Sequence, residues 1–477
     1  MPTITYDRFE VGIDRRKGRR VSDANRLWDL KNAFVTTGWR VRKRPGLTLV
    51  KTLTSGSVGL ISADGVLNTL STTGLTHSGG TITITDHQLT NIAATGTLDR
   101  VHSSTVYNGI IYAAVGWHTP TAIEHHYLDG GSGGSRGGSR VTDGNCPNSE
   151  GILRTASKIF ALDTDTVPFT ATATGPWDWT TASDAGFLPT GTRSPGDPQP
   201  RMLGLYNELL AVAMSDSVQT WNVDPDPSLM SISEVVENTG TTFSQSGDNV
   251  SGDLYYLGQA GFESLSTLSL TNNLADIDVG SPIESLVVPE IADPTNIRVH
   301  SAFYQGGGQY WCVLERISEN DSLVFVYTFS RTAKVSAWSY YTYPFRISDI
   351  AELAGKLYLR SGDSVYQVDP AAYTDNGTAI DVVFEMTYQD FKKPGQRKHI
   401  HGADIVQQGS GVFSMGYDAR DPSKRGPNVT LDGDSRAGDM INYELNATEV
   451  SPKFTHSANE AWELELVEIY YDVLGAM

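Results

Sequence analysis

Residues 355–369 read GKLYLRSGDSVYQVD and hold the clearest folding signal in the chain. Residues 357–359 and 365–368 are short runs rich in apolar residues, and the polar stretch 361–363 separates them. Two such runs on either side of a glycine-containing polar turn predict a β-hairpin. Asp369 and Pro370 close the unit, because proline cannot donate a hydrogen bond to a strand ladder.

The same unit recurs through the middle of the chain, and successive turns lie 44 to 55 residues apart. A propeller blade of four strands takes about 40–50 residues. The sequence therefore predicts an all-β chain with a β-propeller of six or seven blades over residues 56–370. A mixed β protein whose hairpins recur by chance is the alternative. The turns lie at Asp64-Gly65, Asn108-Gly109, Ser157-Lys158, Asn207-Glu208, Gly252-Asp253, Gly307-Gly308 and Gly355-Lys356.

Two segments lie outside this repeat. Residues 1–55 are polar, basic and aromatic, and residues 371–477 carry alternating strand patterns that predict a small antiparallel β-sandwich. In the first segment, Leu27, Leu30 and Phe34 have the three- and four-residue spacing of one helix face. Ser22 is a suitable N-cap, so the spacing predicts a helix over residues 21–34.

Composition excludes several classes of protein. Hydrophobic residues make up 39% and charged residues 19% of the 477, which favours a folded chain over a disordered one. Two cysteines, Cys146 and Cys312, do not suffice for a disulfide scaffold, and we expect both to be free thiols. The opening residues lack a signal-peptide pattern, and the apolar runs are short, so we expect no membrane insertion.

Catalytic and metal-binding motifs are weak. The glycine-rich stretch of residues 130–140 lacks the Lys and Ser/Thr of a phosphate-binding loop, and it predicts a flexible loop instead. Acidic residues are abundant, but nothing in their spacing marks the carboxylate pair of a glycosidase. We therefore predict a protein that is not an enzyme, with no cofactor and no metal site.

Residues 9–47 are the most specific part of the sequence. They run from a Gly-Ile-Asp start through Asn32 and Gly38 to a basic ending at Lys43, Arg44, Pro45 and Gly46. This stretch resembles the opening of tail nozzle proteins of short-tailed bacteriophages, also called packaged-DNA stabilisation proteins. The end of the chain, residues 462–475, is similar to the last strand of such proteins. The middle has no family motif that matches residue by residue.

The resemblance implies a structural component of the virion, assembled in the host cytoplasm. Six copies would form a nozzle below the portal and its adaptor protein, with residues 1–55 and 371–477 as a platform and the propellers around it. The nozzle would retain packaged double-stranded DNA, let it pass without sequence-specific binding, and dock tail spikes, fibres or a needle. A propeller-type tail protein that binds or degrades glycans is the alternative.

Charge is unevenly distributed along the chain. The net charge of −19 divides into +8 for residues 1–51, −19 for residues 52–370 and −8 for residues 371–477. An acidic wall would let DNA slide without sticking. We predict that the basic start meets the adaptor or a neighbouring subunit, through Arg15, Arg16, Lys17, Arg19, Arg20, Arg40, Arg42, Lys43 and Arg44.

The channel itself would need a closing element. We predict that loops close it rather than core strands. The flexible loop of residues 130–140 is the candidate, with Gly130, Gly133, Arg136 and Arg140 as its marker residues.

Overall fold

The computed structural model describes residues 2–20, 25–129, 137–266 and 279–476. Strands dominate these ranges, and the helical elements with described bounds are short. They are helix α1, Glu284–Val287, and the 3-10 turns Gly191–Arg193, Pro227–Leu229 and Gln305–Gly307. The predicted all-β class is confirmed. None of the helices in the described ranges is long and apolar enough to cross a membrane.

The strands are numbered in chain order. The N-terminal segment forms β1 Thr3–Tyr6, β2 Leu27–Lys31, β3 Ala33–Val35, β4 Val41–Lys43 and β5 Gly46–Thr52. The middle forms β6 Ser57–Ala63, β7 Val66–Ser71, β8 Ile84–Thr90, β9 Thr97–Tyr107, β10 Ile110–His118, β11 Ala122–Asp129, β12 Gly137–Arg140, β13 Ile152–Thr155, β14 Lys158–Ala161, β15 Val167–Phe169, β16 Gly186–Leu188, β17 Met202–Tyr206, β18 Leu209–Ala213, β19 Ser217–Asn222, β20 Ser231–Glu237, β21 Asp248–Val250, β22 Asp253–Leu257, β23 Phe262–Ser264, β24 Ile297–Tyr304, β25 Gln309–Arg316, β26 Asp321–Ser330, β27 Val335–Tyr343, β28 Asp349–Leu353, β29 Lys356–Ser361 and β30 Ser364–Asp369. The C-terminal segment forms β31 Thr374–Asp375, β32 Thr378–Ala379, β33 Val382–Met386, β34 Gln396–Gln408, β35 Gly411–Gly416, β36 Val429–Leu431, β37 Ile441–Ala447, β38 Ser451–His456 and β39 Glu463–Ala476.

The middle strands fall into seven groups that we call blades: β6–β8, β9–β12, β13–β16, β17–β20, β21–β23, β24–β27 and β28–β30. In every blade the first two strands form an antiparallel hairpin. All seven of these hairpin turns coincide with a predicted turn. At three of the predicted pairs, Asp64-Gly65, Asn108-Gly109 and Asn207-Glu208, both residues have positive φ, as a type I′ hairpin turn requires.

The first strands of the blades form a closed cycle. Each of β6, β9, β13, β17, β21, β24 and β28 contacts the next, and β28 contacts β6 again. We call this cycle the ring, and the propeller of six or seven blades stays a prediction. Strand β5 pairs with β30 as a fourth strand of the last blade. Strand β5 therefore belongs to the ring. The sequence predicted instead that it belongs to the N-terminal platform segment, residues 1–55.

Strands β31 and β32 extend the sheet of the last blade beyond β5, and the other strands form two sheets that share one core. One has the order β3-β4-β39-β34-β37, with β1 also on β39, and the other runs from the last strand of the β24 blade through β2, β33, β38, β35 and β36. Buried aromatic residues from both sheets lie in the same cluster, including Tyr443 and Tyr471 from the first sheet and Phe384, Phe413 and Phe454 from the second. This arrangement agrees with the predicted C-terminal sandwich, and it joins strands from both ends of the chain. We call it the platform.

The helix predicted over residues 21–34 is wrong. Residues 21–24 lie outside the described residues, and the following segment forms β2 and β3. The pairing of β2 with β33 shifts register between Leu27 and Asp29. This bulge turns Leu27 and Leu30 to the same buried side. Two apolar residues three positions apart, a spacing that suggests a helix, therefore share one face of an irregular strand.

Candidate functional site

The first predicted basic cluster, in residues 15–20, is largely neutralised within the chain. Four of its five cations form ion pairs with carboxylates of the same chain, and the guanidinium groups of Arg15 and Arg19 also lie over the ring of Trp28. Lys17 is exposed and forms no ion pair with any of the described residues. The pairs are Arg15 with Asp29, Arg16 with Asp14, Arg19 with Glu385 and Arg20 with Glu449.

The second predicted cluster divides into a surface part and a buried part. Arg40 and Arg42 lie at the surface, and both contact Glu463 on the neighbouring strand β39. Lys43 and Arg44 are buried, with 4% and 1% of their surface exposed. The prediction that these two residues meet a partner is therefore wrong for this fold. Strand β4 ends at Lys43, so Arg44 does not continue the strand alternation and turns into the core.

Arg44 is the centre of a buried polar network. Its Nη1 and Nη2 donate to Oδ1 and Oδ2 of Asp375 at 2.8 and 2.6 Å, and its Nε donates to Oδ1 of Asn32 at 3.1 Å. The guanidinium carbon lies 4.3 Å from the centre of the Tyr343 ring. Because Tyr343 belongs to the ring and Asn32 to the platform segment, this one side chain ties the two bodies together.

The burial of Lys43 can be tested through the pH dependence of the free energy of unfolding. Burial and the neighbouring Arg44 lower the pKa of Lys43 to about 8, against 10.5 for an unperturbed lysine. The unfolded chain therefore holds one more proton between these two pH values, and raising the pH favours folding. We expect Lys43→Met to remove this component, so that the stability advantage of the wild-type chain over the variant grows as pH rises from 8 toward 10.5 in urea titrations. Exposed Lys17→Met is the control, and equal pH slopes for Lys43→Met and the wild type would refute the prediction.

The predicted flexible loop lies only partly in the described structure. Gly130, Gly133 and Arg136 are outside the described residues. The last part of the stretch is a strand, because β12 pairs with β11 and, in parallel, with β8. Arg140 ends this strand and donates from its Nε to the carbonyl of Asn91 at 3.0 Å. The loop prediction is therefore wrong for residues 137–140, where strand pairing overrides the high glycine content.

The folded chain forms a charged cavity that was not predicted from the sequence. It has a volume of about 440 Å³ and lies where the first strands of four blades begin, at β6, β9, β24 and β28. Arg100 and Arg298 approach from β9 and β24, and the Oδ2 atom of Asp99 lies 3.7 Å from Arg100 and 3.9 Å from Arg298. Strands β9 and β24 are not neighbours in the cycle of first strands in either direction. Their side chains therefore bridge the ring axis at this end.

The rest of the cavity wall carries acids and a histidine. Arg346 donates to Oε1 of Glu315 from Nε at 2.7 Å, and Nε2 of His300 lies 3.8 Å from Oε2 of Glu315. Arg360 faces the cavity from the end of strand β29. Glu315 and Arg360 are almost fully buried, with 2% and 4% exposed. The wall thus alternates cations and anions over a short distance.

Burial and charge shift the titration of these groups. Burial, followed by the charges of Arg100 and Arg298, lowers the pKa of the neighbouring His102 to about 3, so this imidazole stays neutral at physiological pH. Burial lowers the pKa of Arg100, and the charge of Arg298 adds to that effect. Burial raises the pKa of Glu315, but His300 and Arg346 outweigh it, and the pKa lies below its usual value. His102 therefore adds no charge to this end of the ring, and the four arginines and four carboxylates that line the cavity are equal in number.

Other chemistry is limited in the described part of the chain. No group of three or more His, Cys, Asp or Glu residues there is placed to hold a metal ion. Cys146 and Cys312 are both buried and free, as predicted. No local motif could have disclosed the charged cavity, because its wall residues lie between positions 57 and 363 and meet only when the ring closes.

Comparisons with known proteins add little. No protein-family model matches the chain, and no curated protein matches it. Among the solved structures, one match is the AfRom2 CNH domain, with 10% sequence identity and a TM-score of 0.31, covering 75% of this chain and 95% of that domain. A likeness at this level carries no functional argument.

Proposed function

We propose that the protein is a structural subunit of a short-tailed bacteriophage tail, of the nozzle type, and that it assembles as a hexameric ring. One observation supports this most directly. The two stretches that resemble nozzle proteins, at opposite ends of the chain, lie side by side: β4, from residues 9–47, pairs with β39, which covers most of residues 462–475. Sequence features 400 residues apart thus contribute to one folded body, as a shared assembly platform requires.

The DNA path in this proposal runs between copies rather than through one propeller. The axis of the single ring is bridged by the side chains of Asp99, Arg100 and Arg298. A DNA duplex, whose major groove alone is about 12 Å wide, does not fit an opening of that kind. Six platforms around a common axis would supply the wider channel, and the predicted adaptor, spike, fibre or needle contacts would lie on their outer surfaces.

The platform offers surface for contact between copies. Strand β37 is the last strand of its sheet among the described residues, and unpaired strand edges are natural sites for pairing with another chain. Strand β39 of the same sheet carries two exposed apolar side chains, Val473 and Leu474, of which Leu474 is 59% exposed, and Met440, just before β37, is exposed as well. An isolated exposed leucine is ordinary, so the proposal depends on a direct test.

The test is the mass of the purified protein, measured alone and with the phage adaptor protein, together with negative-stain images. We expect a species of six copies and sixfold ring images. We expect Leu474→Asp to shift the population toward monomers, because a charge would then be buried in the contact. Leu229→Asp, at a ring leucine that is 62% exposed, is the matched control and leaves assembly unchanged. A chain that stays monomeric with and without adaptor contradicts the proposal.

A further inference from the structure

The charged cavity holds polar atoms that the fold itself does not use. Arg100 Nε, His300 Nε2 and Glu315 Oε2 are buried and have no hydrogen-bond partner within the described part of the chain. Leaving a buried polar group unsatisfied costs about 1–3 kcal/mol, and proteins satisfy nearly all such groups. Three of them around one opening indicate a place where an external molecule completes the hydrogen bonds.

Charge indicates that this molecule is an anion. The two guanidinium groups of Arg100 and Arg298 share one carboxylate, that of Asp99, at 3.7 and 3.9 Å. Both distances exceed hydrogen-bonding length, so the N–H groups facing the cavity remain available. Arginine binds carboxylates and phosphates through pairs of parallel hydrogen bonds. The arrangement therefore favours a negatively charged group between the two arginines.

The acids in the wall favour a ligand with one charge and several hydroxyl groups. Glu315, Asp349 and Asp363 line the same cavity, and they would repel a nucleotide or any other polyanion. Carboxylates instead accept hydrogen bonds from hydroxyl groups. Nε2 of His300 and Oε2 of Glu315 are 3.8 Å apart, so one hydroxyl oxygen placed between them reaches both.

An aromatic ring completes the wall. Phe345 is partly exposed, lines the cavity and stacks on Tyr366 with ring centres 5.4 Å apart. A ring held in this way offers a flat apolar surface to the C–H face of a sugar. The cavity volume of about 440 Å³ is within the usual range of small-molecule sites, about 300–1,000 Å³.

From these observations we propose that the cavity binds an acidic sugar, that is, a saccharide unit with one carboxylate. The carboxylate lies between Arg100 and Arg298, a hydroxyl group bridges His300 and Glu315, and the sugar ring lies against Phe345. The proposal concerns binding and includes no bond cleavage. It does not depend on assembly into hexamers, because all of these residues belong to one chain.

Calorimetric titration of the full chain with a panel of short oligosaccharides tests the proposal. The panel contains short oligosaccharides that each carry a single glucuronate, galacturonate or mannuronate unit, with the methyl ester of each as the uncharged match and inorganic phosphate as the simple anion. We expect at least one acidic oligomer to bind, and its methyl ester to bind at least tenfold more weakly. The proposal is overturned if no acidic oligomer binds at about 10 mM, if the esters bind equally well, or if phosphate binds as tightly as the best oligomer.

Variants locate the site. Arg298→Met is expected to weaken binding of the acidic oligomer at least tenfold while leaving the thermal denaturation midpoint close to that of the wild type, because Arg298 makes only a distant ion pair in the fold. Arg331→Met removes a cation that lines a different cavity of the ring and serves as the control. Equal binding by Arg298→Met and the wild type would place the ligand elsewhere and overturn the proposal.

Discussion

Arg44→Met is expected to destabilise the protein by about 3–5 kcal/mol, the usual cost of removing one partner of a buried ion pair. The variant leaves Asp375 buried with both carboxylate oxygens deprived of their donors at 2.8 and 2.6 Å. It also removes the donor to Asn32 and the cation over the Tyr343 ring. The measurement is the urea unfolding midpoint, followed by tryptophan fluorescence and by circular dichroism.

Two further variants make this prediction specific. The double variant Arg44→Met with Asp375→Leu is expected to be more stable than Arg44→Met alone, because it leaves no unpaired charge in the core. Arg40→Met removes an arginine whose side chain is 46% exposed and which pairs with Glu463 at the surface; we expect a loss of at most about 1 kcal/mol. If Arg44→Met and Arg40→Met cost the same, the account of Arg44 as a buried link is incorrect.

The position of Arg44 also explains why the net charge of residues 1–51 led to a wrong prediction for their buried members. The +8 of residues 1–51 predicted contacts with the adaptor or a neighbouring subunit, and no partner was predicted for the −8 of residues 371–477. In the fold they largely meet each other: Arg19 pairs with Glu385, Arg42 with Glu463 and Arg44 with Asp375. Composition can show that two segments are complementary, but it does not show whether they pair within one chain or between chains.

Local signals were predicted well and long-range ones were not. Six of the seven hairpin turns place two consecutive residues at positive φ, as a type I′ turn requires, and this preference is visible at single positions such as Asn108 and Gly109. The cavity was missed because Arg100, Arg298 and Glu315 share no motif and no period. The helix over residues 21–34 failed for a related reason, since the bulge that turns Leu27 and Leu30 to one side is imposed by pairing with β33.

Arg360→Met is expected to cost about 3 kcal/mol and to loosen the closure of the ring. Arg360 extends from the last blade to the first: its Nη1 donates to the carbonyl of Gly59 at 2.7 Å and its Nη2 to that of Ser57 at 2.5 Å. Its Nε donates to the carbonyl of Gly362 at 2.9 Å. Methionine fills a similar volume but donates no hydrogen bond, and each buried acceptor left unsatisfied costs about 1–3 kcal/mol.

The seam between β28 and β6 is where the effect should be observed. Hydrogen exchange of backbone amides in β6 and β29 is expected to accelerate in Arg360→Met more than exchange in β18, which lies on a different side of the cycle. Arg360→Lys recovers part of the stability, because an ammonium group reaches some but not all of the three carbonyls. Arg316→Met, which removes a partly exposed arginine paired with Asp321, is the matched control and leaves exchange at the seam unchanged. Uniform acceleration throughout the ring would mean that Arg360 supports general stability and not its closure.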